Sequence, residues 1–466
     1  MPRFFLPTLV LGLALGWGSA ASAAPAAQPP AADVDPAVAS GEASEPEHLL
    51  GDWGGLRTGL LAKGINLDLG YVSETDAVVS GGHRRGVDYA HSIDLKADLD
   101  MQKLAGLGGF SLHGAVGERA GRDGSIDFLR EHLNQLQEIY GGAGSVAAHL
   151  AYLYAEESLA GGAFDIQGGR MGVGDEFAES PLYCAFTSHA DCPSPNDLGI
   201  MTGFTIYPAS TWGGRVKISP GDGLSLKFGA YQVRPQLGGR GGWNWGASGT
   251  TGVMVPVELE WTPWFGPDRL VGHYKLGAAY DSSRYPDLGI VAAPPREDRG
   301  RTAWYLLADQ MLKRTGPNGT DGVILMAGYS HADPNTSVIS ELFYVSVLAN
   351  GIVPGRAGDS VGVQLMHFQI SHQLIAAQEL EFADGLPLTT GLAGGPTPPV
   401  AQGIGLTGAP SPIFAQDEQT TIEARYDFRV TEGFHLIPDF QYVIHPNATT
   451  LYPDAAVIGL KIRLEL

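Results

Sequence analysis

The last ten residues, Val457 to Leu466, read VIGLKIRLEL. Taken in twos, Ile458, Leu460, Ile462, Leu464 and Leu466 fall on one face, with Gly459, Lys461, Arg463 and Glu465 on the other. A period of two belongs to a β-strand, and this strand has one oily side and one charged side. A strand of a soluble sandwich could read this way too. Repetition along the chain decides between the two.

The split returns in QTTIEARYDFRV (419–430), where Ile422, Ala424, Tyr426, Phe428 and Val430 oppose Thr421, Glu423, Arg425, Asp427 and Arg429. In VMVPVELEW (253–261), Val253, Val255, Val257, Leu259 and Trp261 oppose Glu258 and Glu260. SIDLKADLDM (92–101) sets Ile93, Leu95, Ala97, Leu99 and Met101 against Asp94, Lys96, Asp98 and Asp100. TWGGRVKI (211–218) sets Trp212, Val216 and Ile218 against Arg215 and Lys217. Around Trp304–Leu307 the parity is mixed.

Polar faces bearing several charges of both signs suit a water-filled lumen, and the opposite faces suit lipid. Past its first residues the chain has no apolar run long enough for a spanning helix, so it can cross a membrane only as a closed barrel. Tyr71, Trp212, Trp261, Tyr280, Tyr329, Tyr426 and Tyr442 fall on the apolar face, as interface girdles require. The expected fold is all-β, a transmembrane antiparallel barrel with short periplasmic turns, longer extracellular loops and a short helix near the N-terminus. About 14 segments are clear, and the even-number rule allows roughly 14 to 18 strands.

The start of the chain sets its compartment. Arg3, the apolar run Phe4–Trp17 and the small residues through Ala24 read as a signal peptide over 1–24. Residues 25–46 are rich in Pro and Ala, with too few large apolar residues for a core, and read as a disordered leader. The barrel domain is expected over 47–466.

The formal charge of −21 and the lack of basic clusters argue against a nucleic-acid partner. The two cysteines, Cys184 and Cys192, are read as a disulfide, because in an exported chain a close pair oxidises and the spacing is not a zinc pattern. No cofactor or metal is expected.

Enzyme motifs fail on context. GDSVG (358–362) runs into an alternating segment instead of a helix, so no nucleophile elbow follows. GIGLTG (403–408) precedes Ala-Pro-Ser-Pro, which cannot be the helix that holds a pyrophosphate. GSIDFLREHLNQLQEIYGG (124–142) reads as a short amphipathic helix in a loop or in the lumen, and 384–412 as an extended loop.

Four stretches carry a family resemblance: LLGDWGGLRTGLLAKGINLDLGYVSE (49–74), GGRMGVGDEFAESPLYCAF (168–186), GFTIYPASTWGGRV (203–216) and the C-terminal pair of strands from IPDFQYVIHPN onward. From about Leu49 to Leu466 the chain resembles the carbohydrate-selective porin family (OprB type). The chain ends in Leu466 where such barrels commonly end in Phe. The resemblance implies a 16-stranded outer-membrane barrel that passes glucose and other small carbohydrates. It places the DWGG-x-R stretch in a periplasmic turn and short helix before the first strand. The implied partners are carbohydrate permeants, outer-membrane lipid and the barrel-assembly machinery, with the barrel a homotrimer or a monomer. A non-selective barrel and a barrel hydrolase are the rival readings.

A sugar offers hydroxyls and an apolar ring face but no charge, so a selective constriction needs Arg, Asp and Glu beside an aromatic ring. The candidates are Arg119, Arg170, Asp175, Glu176, Arg215, Glu74, Asp94 and Asp98. Arg170 shares parity with Phe164 and Ile166, and can face inward only if GGRMG bulges or the strand has ended.

Overall fold

The computed structural model describes residues 48–131, 133–139, 146–188, 192, 194–201, 204–234, 241–290, 296–317, 319–384 and 415–466. The signal-peptide and leader readings lie outside these residues, as does nearly all of the 384–412 loop.

Alternation becomes wall. The strands are β1 (Ile65–Ser80), β2 (Gly86–Asp100), β3 (Phe110–Gly121), β4 (Val146–Leu159), β5 (Phe164–Met171) and β6 (Thr211–Gly221). Then come β7 (Leu224–Val233), β8 (Gly252–Trp261), β9 (Trp264–Phe265), β10 (Leu270–Pro286), β11 (Glu297–Arg314) and β12 (Gly322–Ala332). The last five are β13 (Ile339–Asn350), β14 (Ser360–Ile370), β15 (Glu418–Thr431), β16 (Phe434–Ile444) and β17 (Ala455–Glu465).

β9 is a two-residue stub beside the start of β10, and β8 pairs directly with β10. Sixteen strands therefore span. Each pairs antiparallel with its chain neighbour, and β1 pairs with β17 from Gly70↔Glu465 to Ser80↔Ala456, closing the barrel. Closure leaves no strand edge unpaired in lipid.

Facing follows the sequence period. Ile458 and Leu460 on β17 are exposed outward, while Val457 and Lys461 are buried inside. On β8, Val253, Val255, Leu259 and Trp261 face out, and Met254 and Glu258 face in.

The opening motif is a clasp at the periplasmic mouth. Asp52 accepts from the backbone and hydroxyl of Thr58 (both 2.7 Å), holding the turn into the helix Leu56–Ala62. Arg57 lies 4.2 Å from the Trp53 ring and donates to the carbonyl of Leu67 at the start of β1 (2.9 Å) and to that of Leu466 (2.5 Å).

The interior is not simply water. The described residues between β5 and β6 fold inward, and their Phe177, Phe186, Phe204 and Ile206 pack with Tyr305, Met326, Tyr344 and Phe368 of the facing wall. This explains the mixed parity near Trp304. Trp304 and Leu306 face lipid, while Tyr305 and Leu307 face an apolar core inside the barrel.

The helix expected over 124–142 is reduced to one turn, Ser125–Leu129. Beyond it the described residues 130, 131 and 133–139 are irregular because other groups take their backbone. Ile139 N donates to Glu74 (2.8 Å), Glu138 N to the Thr187 carbonyl (2.7 Å), and the Leu136 carbonyl accepts from Gln441 (2.8 Å). Leu129, Leu133 and Leu136 are fully buried against wall and loop rather than along a helix.

Candidate functional site

Two loops and one flank of the wall enclose a cavity of about 340 Å³. Neighbouring strands supply its floor in cross-strand rows: Asp68 stands opposite Lys96, Gly70 opposite Asp94, and Val72 opposite Ser92, which in turn faces Arg119. The loop after β3 adds Glu138 and Ile139. The loop after β5 adds Asp175, Cys184, Cys192 and Tyr207, and β17 adds Glu465.

Tyr207 organises this space. Its hydroxyl donates to Asp94, which also accepts from Ser92 Oγ (2.6 Å). The Arg119 guanidinium sits 5.4 Å from the Tyr207 ring. Gly117 makes the approach possible: a Cβ there would lie 2.4 Å from Asp94 Oδ1 and 3.3 Å from the Tyr207 hydroxyl. Burial, with Asp94 adding to it, holds the Tyr207 phenol well above its ordinary range, so it remains a donor.

Asp175 accepts from Tyr207 N (3.1 Å). The crowded interior pushes its carboxyl up to about 7, against that hydrogen bond, and the charge of Glu176 pushes the same way. The Cys184 and Cys192 sulfurs are bonded to each other. Glu138 comes within metal-ligand range of both, but sulfurs joined to each other are not thiolate ligands.

Of the eight candidate residues, Arg119, Asp94 and Asp175 line this cavity. The other five are elsewhere. Glu74 is fully buried and accepts the Ile139 amide, one of three wall carboxylates that cap inward-folded backbone. Glu258 does this for Ala178 (2.7 Å), and Glu423 for Thr187 (2.7 Å) and Ser188 (3.1 Å). Arg215 is locked between Asp165 and Glu176 (2.8 Å to the latter). Asp98 binds His113 Nδ1 (2.7 Å). Arg170 does not turn inward: it stays in register with the outward Leu153 and Trp212 and donates to the Ser210 carbonyl (2.5 Å).

Sequence reasoning missed Lys96, Glu138 and Tyr207. Lys96 was legible, since it shares a polar face with Asp94. Tyr207 lies in a non-periodic loop and gave no signal.

A larger chamber of about 980 Å³ lies against β6–β8 and β10–β12, lined by Lys217, Lys227, Glu260, His273, Lys275 and Asp309. Three of its basic side chains are paired: Lys227 with Glu258 (3.0 Å), Lys275 with Glu179 (3.2 Å) and His273 with Asp309 (2.6 Å).

A closed barrel with an apolar exterior, a charge-balanced interior and loops folded into the lumen is the construction of a porin, a diffusion channel of the outer membrane. The sequence profile of the carbohydrate-selective porin, OprB family, matches residues 84–466. Porin B of Pseudomonas aeruginosa is 28% identical over 470 residues, spanning 97% of this chain and 95% of its own length. The putative porin QuiX of Acinetobacter baylyi is 24% identical over 431 residues, spanning 89% and 92%. The high-pH structure of Pseudomonas putida OprB matches with a TM-score of 0.79 at 26% identity, covering 91% of this chain and 99% of that one. The chain belongs to the carbohydrate-selective OprB family of porins, and its place is the bacterial outer membrane.

Proposed function

We propose that sugars diffuse passively through the cavity between Arg119, Lys96, Asp94, Asp175 and Tyr207, and that this is the selective point of the pore. The observation that carries the reading is the Arg119–Tyr207–Asp94 grouping, in which a cation, an aromatic ring and a carboxylate face one small space. A guanidinium fork engages neighbouring hydroxyls, a carboxylate accepts from others, and a ring contacts the apolar sugar face. Charges of both signs leave an ion with little net attraction, so a neutral polyol gains most. The barrel-assembly machinery inserts the chain, which works as a monomer or homotrimer.

Liposome swelling tests this. Glucose should enter faster than a neutral amino acid of smaller size, and Arg119→Ala should weaken sugar block of the ion current. A loss of about 1.5–3 kcal/mol in sugar affinity is expected for one charge-assisted hydrogen bond. Rates that follow size alone, and are indifferent to Arg119, would leave a non-selective pore.

A further inference from the structure

Arg170 stands on the outward face of β5, level with Leu153 and Trp212, which are 43% and 41% exposed. Arg170 itself is 1% exposed. Arg234, the residue after β7, shares parity with the outward Phe228 and is 4% exposed. A strap crosses this face, bonded to Arg234 and to Trp212, the cross-strand neighbour of Arg170. β5 ends at Met171, so the extracellular part of β4 lacks a partner on that side, and the segment from Gly241 to Gly246 takes the vacant edge.

The strap is tied to the wall at several points. The Gly241 carbonyl accepts from Leu150 N (2.9 Å), the Trp243 indole donates to the Ala148 carbonyl (2.5 Å), and the Trp212 indole donates to the Trp245 carbonyl (2.9 Å). Arg234 donates to the carbonyls of Asn244 (3.3 Å) and Gly246 (2.8 Å).

Arg234 is thus bonded to the strap directly, and Arg170 reaches it through Trp212, its neighbour in register, whose indole holds Trp245. Among the described residues, Arg170 donates only to Ser210, at its carbonyl and its hydroxyl. The Nε of each arginine is buried with no acceptor among the described residues. No carboxylate among the described residues pairs with either. Buried like charges without a counter-ion are strongly disfavoured, whereas a shared anion turns both into charge-assisted donors. The chain carries −21 overall, so such an anion would be held by this local pair and not by the general field.

We propose that Arg170 and Arg234 form a binding site beneath the strap for a phosphate monoester of an outer-leaflet lipid. The arginine fork matches phosphate geometry. Trp212, Trp243 and Trp245, each 40% exposed or more, place the site at the level where indoles meet headgroups.

The test titrates the full chain, in maltoside micelles, with bisphosphorylated lipid A, with the same lipid stripped of its phosphates, and with inorganic phosphate. Thermal unfolding is followed by Trp fluorescence. Phosphorylated lipid A should raise the midpoint saturably, and the other two should not. Arg234→Gln should melt at or above the parent without lipid, because repulsion is relieved, yet bind phosphorylated lipid A at least tenfold more weakly. Arg170→Gln should do the same, and if it fails to fold, Arg234→Gln and Arg234→Lys carry the comparison. An equal shift with phosphate-free lipid, saturation by inorganic phosphate alone, or undiminished binding by Arg234→Gln would overturn the assignment.

Discussion

The guanidinium of Arg57 donates a 2.5 Å hydrogen bond to the carbonyl oxygen of Leu466, joining residues 409 positions apart. The same group donates to Leu67 on β1 and stacks on Trp53, so one side chain stitches the first strand, the last residue and the N-terminal turn together. The seam between β1 and β17 is the only one in the barrel without a chain connection, and it is the one that Arg57 clamps.

Arg57→Ala should therefore lower the temperature at which the barrel unfolds. Hydrogen bonds to a charged donor contribute about 1.5–3 kcal/mol each, and those to Leu67, Leu466 and His48 (2.9 Å) are all lost. Trp53→Ala should cost less, about 0.5–1 kcal/mol, since the ring contact is partly exposed. Gel mobility of unheated and heated samples across a temperature series reads both.

Lys461 is buried among Glu74 (3.5 Å), Glu138, and the carbonyls of Cys184 (3.4 Å) and Phe186 (3.2 Å). It pins both inward loops to β17. Lys461→Met strands two carboxylates in the interior and should destabilise by about 3–5 kcal/mol. Freed loops should also widen the pore, so single-channel conductance should rise and become noisy. Parental conductance in a folded variant would mean the loops are held elsewhere.

Lipid exposure grades along β17. Leu460→Arg, near mid-strand and facing out, should cost about 2–4 kcal/mol, and Leu464→Arg, near the mouth, about 0–1 kcal/mol. Denaturant unfolding in vesicles measures the difference. Equal costs would contradict the assigned depth.

Asp175 gives the cavity a pH response. Its carboxyl, raised to about 7 by its crowded site, is charged at pH 8.5 and neutral at pH 5.5. Acidification removes a negative charge facing Arg119 and Lys96, so the reversal potential in a salt gradient should move toward anion preference. The stability sign is opposite to that of a paired surface carboxylate. The folded state holds the proton more tightly, so this group favours folding below its unfolded range and loses that contribution as pH rises toward 7. Asp175→Asn should show the low-pH selectivity at every pH. A reversal potential that moves with pH in Asp175→Asn as in the parent would place the titrating group elsewhere.

The barrel and its facing are legible in the residue order, because a strand's two sides are a local property. Ile458 and Leu460 against Lys461 need only a period of two to declare lipid and lumen. The DWGG-x-R stretch was legible as the approach to β1, since its turn and helix are also local. Which lumen charges are open to a permeant is set by the fold. Glu74 and Asp94 sit on the inner face of adjacent strands and look alike in sequence. Yet Glu74 is spent on a loop amide 65 residues away, while Asp94 meets Tyr207 in open space. Tyr305 and Leu307 broke the alternation because a loop packs on that wall, and Arg170 kept its outward parity because a strap shelters it. Each outcome was set by irregular segments that fold back from far along the chain, where no period carries the information.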